Sequence, residues 1–218
     1  MFPALYAILD ASPEFSSESA LSIPEIALRL AEGGVELFQY RDKQGSARRI
    51  QENSLELGRR LASRSVRLIV NDRADIAAMT GAGGVHVGQE DLPVEEARKI
   101  CGAALWVGVS THNLEQLRAA DATSADYIAV GPIFPTGTKA NPDPVVGIEF
   151  LRAARKITRK PLVAIGGITV ESAGDVYRAG ADSIAVIRDL MAASDPARRA
   201  REYLAIAKRV LPARRAVS

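Results

Sequence analysis

An apolar run of five to seven residues, rich in β-branched side chains, recurs eight times along the chain: ALYAILD, LFQYR, RLIVND, GVHVG, LWVGVST, YIAVG, PLVAIGG and SIAVIR. The stretches between the runs carry apolar residues at helical spacing instead. Ile23, Ile26, Ala27 and Leu30 make one stripe, Ile50, Leu57 and Leu61 belong to a second, and Ile148, Leu151 and Ala154 to a third. Strand entry is marked by small residues in AEGGVELFQY, TGAGGVHVG, TSADYIAVG and RAGADSIAV, where glycine or alanine lets the chain leave a helix tightly. Eight strand and helix units with no long linker predict an α/β fold, a single closed parallel (β/α)8 barrel spanning residues 1–211. Residues 212–218 read as a basic, disordered tail. An open doubly wound sheet is the alternative, but no GxGxxG follows the first run.

With 218 residues, the chain can bury a sizeable core as one barrel. No stretch approaches the roughly 20 uninterrupted apolar residues of a membrane span. The amino terminus MFPALYAILD has no basic leader and reads as a strand; with a single cysteine, Cys101, at the end of an amphipathic helix, it predicts a cytoplasmic protein with one buried, inert thiol. Seven basic residues crowd the last segment, but Ala200, Leu204, Ala207 and Leu211 recur among them at helical spacing. They predict the solvated face of a closing helix, and without an aromatic platform they argue against nucleic acid. A homo-oligomer is compatible with this composition.

Alternation within each run assigns the barrel interior. Phe38 and Tyr40 are expected under the helices, with Gln39 and Arg41 inward; Val85 and Val87 outside, with His86 and Gly88 inside; Ile128 and Val130 outside, with Ala129 and Gly131 inside; Ala164 and Gly166 inside. Gly88, Gly108, Ser110, Gly131 and Gly166 thus leave room near the carboxyl ends, where such barrels place their sites. The expectation is that this room holds a ligand.

Four polar clusters fall at those ends. Asp72 follows the third strand and Asp91 the fourth, with Asn71 and Gln89 beside them. Adjacent carboxylates repel unless protonated or bridged by a cation, and oxygen-only donors favour Mg2+ over zinc. The plainer reading makes each aspartate the cap of the helix that follows it. Gln39, Tyr40, Arg41, Asp42 and Lys43 put two cations and an amide at the end of the second strand, a combination suited to diphosphate. The loop VGPIFPTGTKANPDP offers Thr136, Gly137, Thr138 and Lys139 as an anion cradle, or is simply a flexible connection. Gly166 and Gly167 after the seventh strand, and Arg188 after the eighth, mark the usual phosphate site of phosphate-binding barrels.

Taken together, QYRDK, ND, GQED, STH, GPIFPTGTK, IGGIT and IAVI, in this order and over roughly residues 4–210, resemble thiamine phosphate synthase. The resemblance implies a TIM barrel that joins hydroxymethylpyrimidine diphosphate to thiazole phosphate, giving thiamine phosphate and pyrophosphate. It implies that Gln39, Tyr40, Arg41, Asp42, Lys43, Asn71, Ser110 and Lys139 hold the pyrimidine diphosphate, and that Asp72 and Asp91 hold Mg2+. It further implies that Thr136, Gly137, Thr138, Gly167, Ile187 and Arg188 hold the thiazole phosphate. Where the family commonly has serine, this chain has Arg188. The reaction so implied loses pyrophosphate from the pyrimidine methylene and captures the resulting cation with the thiazole nitrogen, so no nucleophile and base pair is needed. A thiazole tautomerase-like isomerase and a noncatalytic phosphate-ligand sensor are rivals on the same fold.

Overall fold

A computed structural model describes residues 2–12, 21–137 and 144–215, with side chains through Pro212. Eight parallel strands pair in sequence order and close into a barrel: β1 Leu5–Asp10, β2 Leu37–Arg41, β3 Arg67–Asn71, β4 Gly84–Val87, β5 Trp106–Thr111, β6 Tyr127–Val130, β7 Leu162–Ile165 and β8 Ser183–Val186. The helices are α1 Ile23–Glu32, α2 Ala47–Leu61, α3 Ala74–Thr80, α4 Val94–Cys101, α5 Leu114–Asp121, α6 Gly147–Ile157, α7 Val170–Arg178, α8 Arg188–Met191 and α9 Pro196–Arg215. Helix α9 runs past residue 211, where the sequence reading placed a boundary, and 216–218 lie outside the described residues.

Local signals start several of these helices. A capping box between Ser22 and Glu25 opens α1, with Pro24 in its first turn. Ser46 accepts the Arg49 amide at α2, and Asn113 the Gln116 amide at α5. Ala4 joins the ends of the barrel, its carbonyl accepting both the Ile184 amide at 3.0 Å and the Tyr177 hydroxyl at 2.9 Å. Helix α9 packs on α1 and α7 through Ala200, Ala207 and Leu211, which are buried, so Arg198, Arg201, Lys208 and Arg209 lie on the outer face as expected. Cys101 is buried against α3, and burial pushes its thiol up. Among the described residues, no helix is long and apolar enough to cross a membrane.

The strands divide their side chains between two apolar clusters. Phe38, Tyr40, Val85, Val87, Ile128 and Val130 join the outer layer under the helices, as their alternation predicts. Tyr6, Ile8, Leu37, Ile69, Tyr127, Ala129, Val163 and Ala185 fill the barrel itself. Two expectations need correction. In β7 the phase is opposite: Val163 and Ile165 point inward and Ala164 outward. Counting back from Gly166 misled, because β7 ends at Ile165 and Gly166 has a φ of 103°, so alternation does not reach it.

The second correction concerns Gly108, whose missing side chain makes room for protein and not ligand. A Cβ there would lie 2.0 Å from Cζ of Tyr127, a fully buried ring. Gly108→Ala is therefore expected to overpack the interior by about 1–3 kcal/mol. Thermal unfolding should show Tm falling by roughly 3–10 °C; an unchanged Tm would mean that the Tyr127 ring moves aside freely.

Candidate active site

The two aspartates reach one another from adjacent strand ends. Asp72 sits directly after β3 with a φ of 61°, the one positive value among the described non-glycine residues. Its amide donates to the His86 carbonyl of β4 at 2.8 Å, so the turn is locked to the neighbouring strand. Aspartate tolerates this left-handed conformation better than most residues, and such outliers concentrate at functional sites. Asp91 folds back so that its Oδ2 accepts the Gly88 amide at 2.8 Å. Neither aspartate caps a helix: α3 is preceded by Arg73 and α4 by Pro93, with no side-chain cap bond at either. The capping alternative is thereby excluded.

The carboxylates lie within hydrogen-bonding reach of each other, and Lys43 Nζ is 2.5 Å from Asp72 Oδ2. Burial pushes the Asp72 carboxyl above its ordinary value, with the Asp91 charge adding to the rise and Lys43 opposing it. Burial acts on Asp91 too. There it is outweighed by the Asp72 hydrogen bond, the Gly88 amide and nearby positive charge, which hold that carboxyl below the ordinary value. Two carboxylates this close share an unfavourable charge, which a cation can relieve as a proton does.

Arg41 enters from the inner face of β2, and the register pairs it with Asp10 at the end of β1. The guanidinium is ion-paired to Asp10, whose side chain is wholly buried and also accepts the Ser12 amide at 3.0 Å and hydroxyl at 2.7 Å. Asp10 was not among the residues singled out in the sequence; its signal was a carboxylate at the same strand end and on the same face as Arg41. Gln39 also points inward, its Nε2 donating to the Tyr6 hydroxyl at 2.9 Å. Ser110 lies at the end of β5 beside His86, and Gln89 donates to the Ser110 carbonyl at 2.6 Å.

Tyr40 and Asp42 are placed differently from their neighbours. The Tyr40 ring lies in the outer layer, its hydroxyl accepting from Asn53 at 2.7 Å and donating to Asp42 at 3.2 Å. Asp42 turns its buried carboxylate to Arg49 at 2.8 Å. Their side chains brace the turn that carries Lys43 and do not line the barrel mouth.

On the opposite rim, the segment after β6 extends the sheet: Ile133 and Phe134 donate their amides to the Ile165 and Gly166 carbonyls at 2.9 and 3.1 Å. Gly167, with a φ of 61°, tucks under this segment, and a Cβ there would lie 2.4 Å from the Pro135 carbonyl. Thr136 and Gly137 follow directly on the Phe134 and Pro135 segment that covers Gly167. Ile165, the last residue of β7, pairs with Ala185, so Gly167 and Ile187 each follow closely on adjacent strand ends, with Arg188 opening the four-residue α8. Thr138 and Lys139 lie outside the described residues.

The rim thus carries cations and paired carboxylates at β1 to β5, facing a backbone-lined shelf at β6 to β8. Comparison with known proteins identifies the family of the chain. Residues 5–190 match the family model described as thiamine monophosphate synthase. A thiamine-phosphate synthase of Koribacter versatilis is 54% identical over 204 residues, covering 94% of this chain and 95% of that protein. One from Chloroflexus aurantiacus is 47% identical over 174 residues, covering 80% of each. The solved thiamine phosphate pyrophosphorylase of Pyrococcus furiosus superposes with a TM-score of 0.85 at 33% identity, covering 95% of this chain and 96% of that one. Agreement of sequence and barrel over nearly the whole chain leaves one conclusion, that the chain belongs to the thiamine monophosphate synthase family.

Proposed function

We propose that the rim joins hydroxymethylpyrimidine diphosphate to thiazole phosphate by a dissociative substitution, releasing pyrophosphate and thiamine phosphate. Family membership supports the overall reaction, and the observation that carries its location is the Asp72, Asp91 and Lys43 cluster beside Arg41. On this reading Arg41 and Lys43 bind the diphosphate and hold it as the methylene carbon to oxygen bond breaks and the electron pair leaves with pyrophosphate. Asn71, Gln39 and Ser110 orient the pyrimidine, and Lys139 adds a further positive charge. Tyr40 and Asp42 serve by holding the β2 turn. The electron-rich pyrimidine spreads the positive charge left on the methylene, and the thiazole nitrogen lone pair then forms the new carbon to nitrogen bond. Thr136, Gly137, Thr138, Gly167, Ile187 and Arg188 hold the thiazole phosphate so that this nitrogen faces the methylene. No proton transfer is required, which agrees with a rim whose described residues offer charge and alignment.

The residues present fit Mg2+. Two carboxylates converge from adjacent strand ends, and among the described residues no third His, Cys, Asp or Glu joins them. That is the donor set of an ion which keeps several waters and takes its remaining ligands from substrate phosphate. Bound by Asp72 and Asp91, the ion would neutralise charge on the departing diphosphate. A single buried thiol suits the cytoplasm as the place of this chemistry.

The direct test is mass spectrometry of the purified protein with both substrates, with and without Mg2+. Thiamine phosphate and pyrophosphate are expected in equal amounts and only with the cation. Equal rates after chelation would remove the metal from the scheme. Absence of product from a folded sample that binds thiazole phosphate would favour the isomerase.

A further inference from the structure

We propose that Tyr6, Tyr127 and His86 are positioning residues: a one-way hydrogen-bond chain through them turns the Ser110 hydroxyl hydrogen into the barrel mouth, making Ser110 a donor to the pyrimidine substrate. The inference rests on the assignment of Ser110 to that substrate. The chain crosses the barrel interior without a break. Gln39 Nε2 is 2.9 Å from the Tyr6 hydroxyl, which is 3.0 Å from the Tyr127 hydroxyl; that lies 3.0 Å from His86 Nδ1, and His86 Nε2 is 2.8 Å from Ser110 Oγ. The strand register makes it possible. His86 pairs with Gly108 and Gly108 with Tyr127, so the two rings meet over a glycine, stacked with centroids 5.5 Å apart.

The direction follows from its first member. An amide nitrogen only donates, so the Tyr6 oxygen accepts from Gln39. Tyr6 is 1% exposed, and its own hydrogen has one remaining partner, the Tyr127 oxygen. Tyr127 must then donate onward to His86 Nδ1, which is therefore the unprotonated nitrogen of a neutral ring. The ring hydrogen sits on Nε2 and is donated to Ser110 Oγ. The Ser110 hydrogen has no other acceptor among the described residues and is left for a ligand atom that accepts. On a 4-aminopyrimidine that atom is a ring nitrogen. Reversing the chain would require the Gln39 amide to turn over so that Oε1 accepts the Tyr6 hydrogen, in place of the Nε2 contact at 2.9 Å. His112, the only other histidine, provides an internal contrast: its Nδ1 is 2.7 Å from the Gly131 carbonyl, which can only accept, so Nδ1 carries a hydrogen.

The test has two parts. Nitrogen NMR of the histidine-labelled protein should show one ring protonated on Nε2 alone and the other on Nδ1; His86→Asn, which leaves only His112, assigns them. Protonation of His86 at Nδ1 would overturn the proposal without reference to any substrate. Steady-state kinetics then ask whether the chain acts through Ser110. Ser110→Ala is expected to raise KM for the pyrimidine diphosphate roughly ten-fold, and His86→Asn roughly three- to ten-fold, with KM for thiazole phosphate within about two-fold. The double variant should match Ser110→Ala alone, because without the hydroxyl there is nothing to orient. Additive effects would make His86 a structural residue. An unchanged KM in Ser110→Ala would instead refute the assignment of Ser110, leaving the NMR result to stand or fall separately. Should His86→Asn fold poorly, Tyr127→Phe in the same cycle keeps the test intact.

Discussion

Asp72→Asn is expected to lower turnover by roughly a hundred-fold or more while leaving Tm, measured without divalent cation, at or slightly above that of the parent. The activity loss follows from removing one of two carboxylates at the diphosphate, where several kcal/mol of charge stabilisation correspond to that factor. The stability gain follows from the sign of the pKa shift. Burial raises the Asp72 carboxyl above its ordinary value, so the fold favours the neutral form. The stability linked to that proton is complete below the ordinary carboxylate range and is lost as pH rises through the folded-state value. At neutral pH the ionised group therefore costs stability, and asparagine, also tolerant of the left-handed backbone here, avoids the cost. Asp91→Asn should show a similar activity defect with the opposite stability sign. Its carboxyl is held low, so its contribution is present above the ordinary range and is lost on acidification. Melting curves at pH 5 and pH 8 check both signs. The Asp72→Asn advantage should grow with pH, and Mg2+ should raise the parent's Tm but neither variant's. Near-normal Mg2+-dependent turnover in both variants would refute the metal assignment.

The barrel was legible because alternation is a strong local signal, and with both faces of every strand covered, the chain cannot slip register without turning apolar residues over. The sequence also placed Gln39, Arg41, Asp72, Asp91 and Ser110 at the same rim. What it missed depends on long-range geometry. Whether Asp72 caps α3 or meets Asp91 turns on one left-handed residue and on a bond to the next strand, which no local pattern encodes. Gly108 looked like space for a ligand because the ring that fills it, Tyr127, is 19 residues away in the chain and is brought alongside only by the β5 to β6 register. Asp10 escaped notice because β1 meets β2 at Arg41 only once the strands are aligned. Tyr40 and Asp42, which the motif groups with Lys43, turn their side chains to Asn53 and Arg49, and for the tyrosine alternation already indicated the outward direction.

Arg41→Met should combine a large catalytic loss with a large stability loss, and the two should separate in a double variant. The guanidinium is the partner of a carboxylate with no exposed surface. Removing it leaves Asp10 with only the Ser12 amide and hydroxyl, and a buried charge so stranded costs about 3–5 kcal/mol when the pair is fully enclosed. Arg41 reaches the barrel mouth with 17% of its side chain exposed, so the lower part of that range applies, or roughly 5–12 °C in Tm. Turnover should fall roughly a hundred-fold, since methionine fills the space but brings no charge to the diphosphate. Adding Asp10→Asn removes the stranded charge while keeping an acceptor for Ser12, so most of the Tm should return and none of the turnover. Recovery of both would mean that Arg41 serves only to neutralise Asp10. Recovery of neither would place the instability elsewhere, in lost packing of the arginine stem against β1. The expected split, stability restored without activity, would establish that the Asp10 and Arg41 pair holds a cation at the rim at the expense of a carboxylate that has no other reason to be buried.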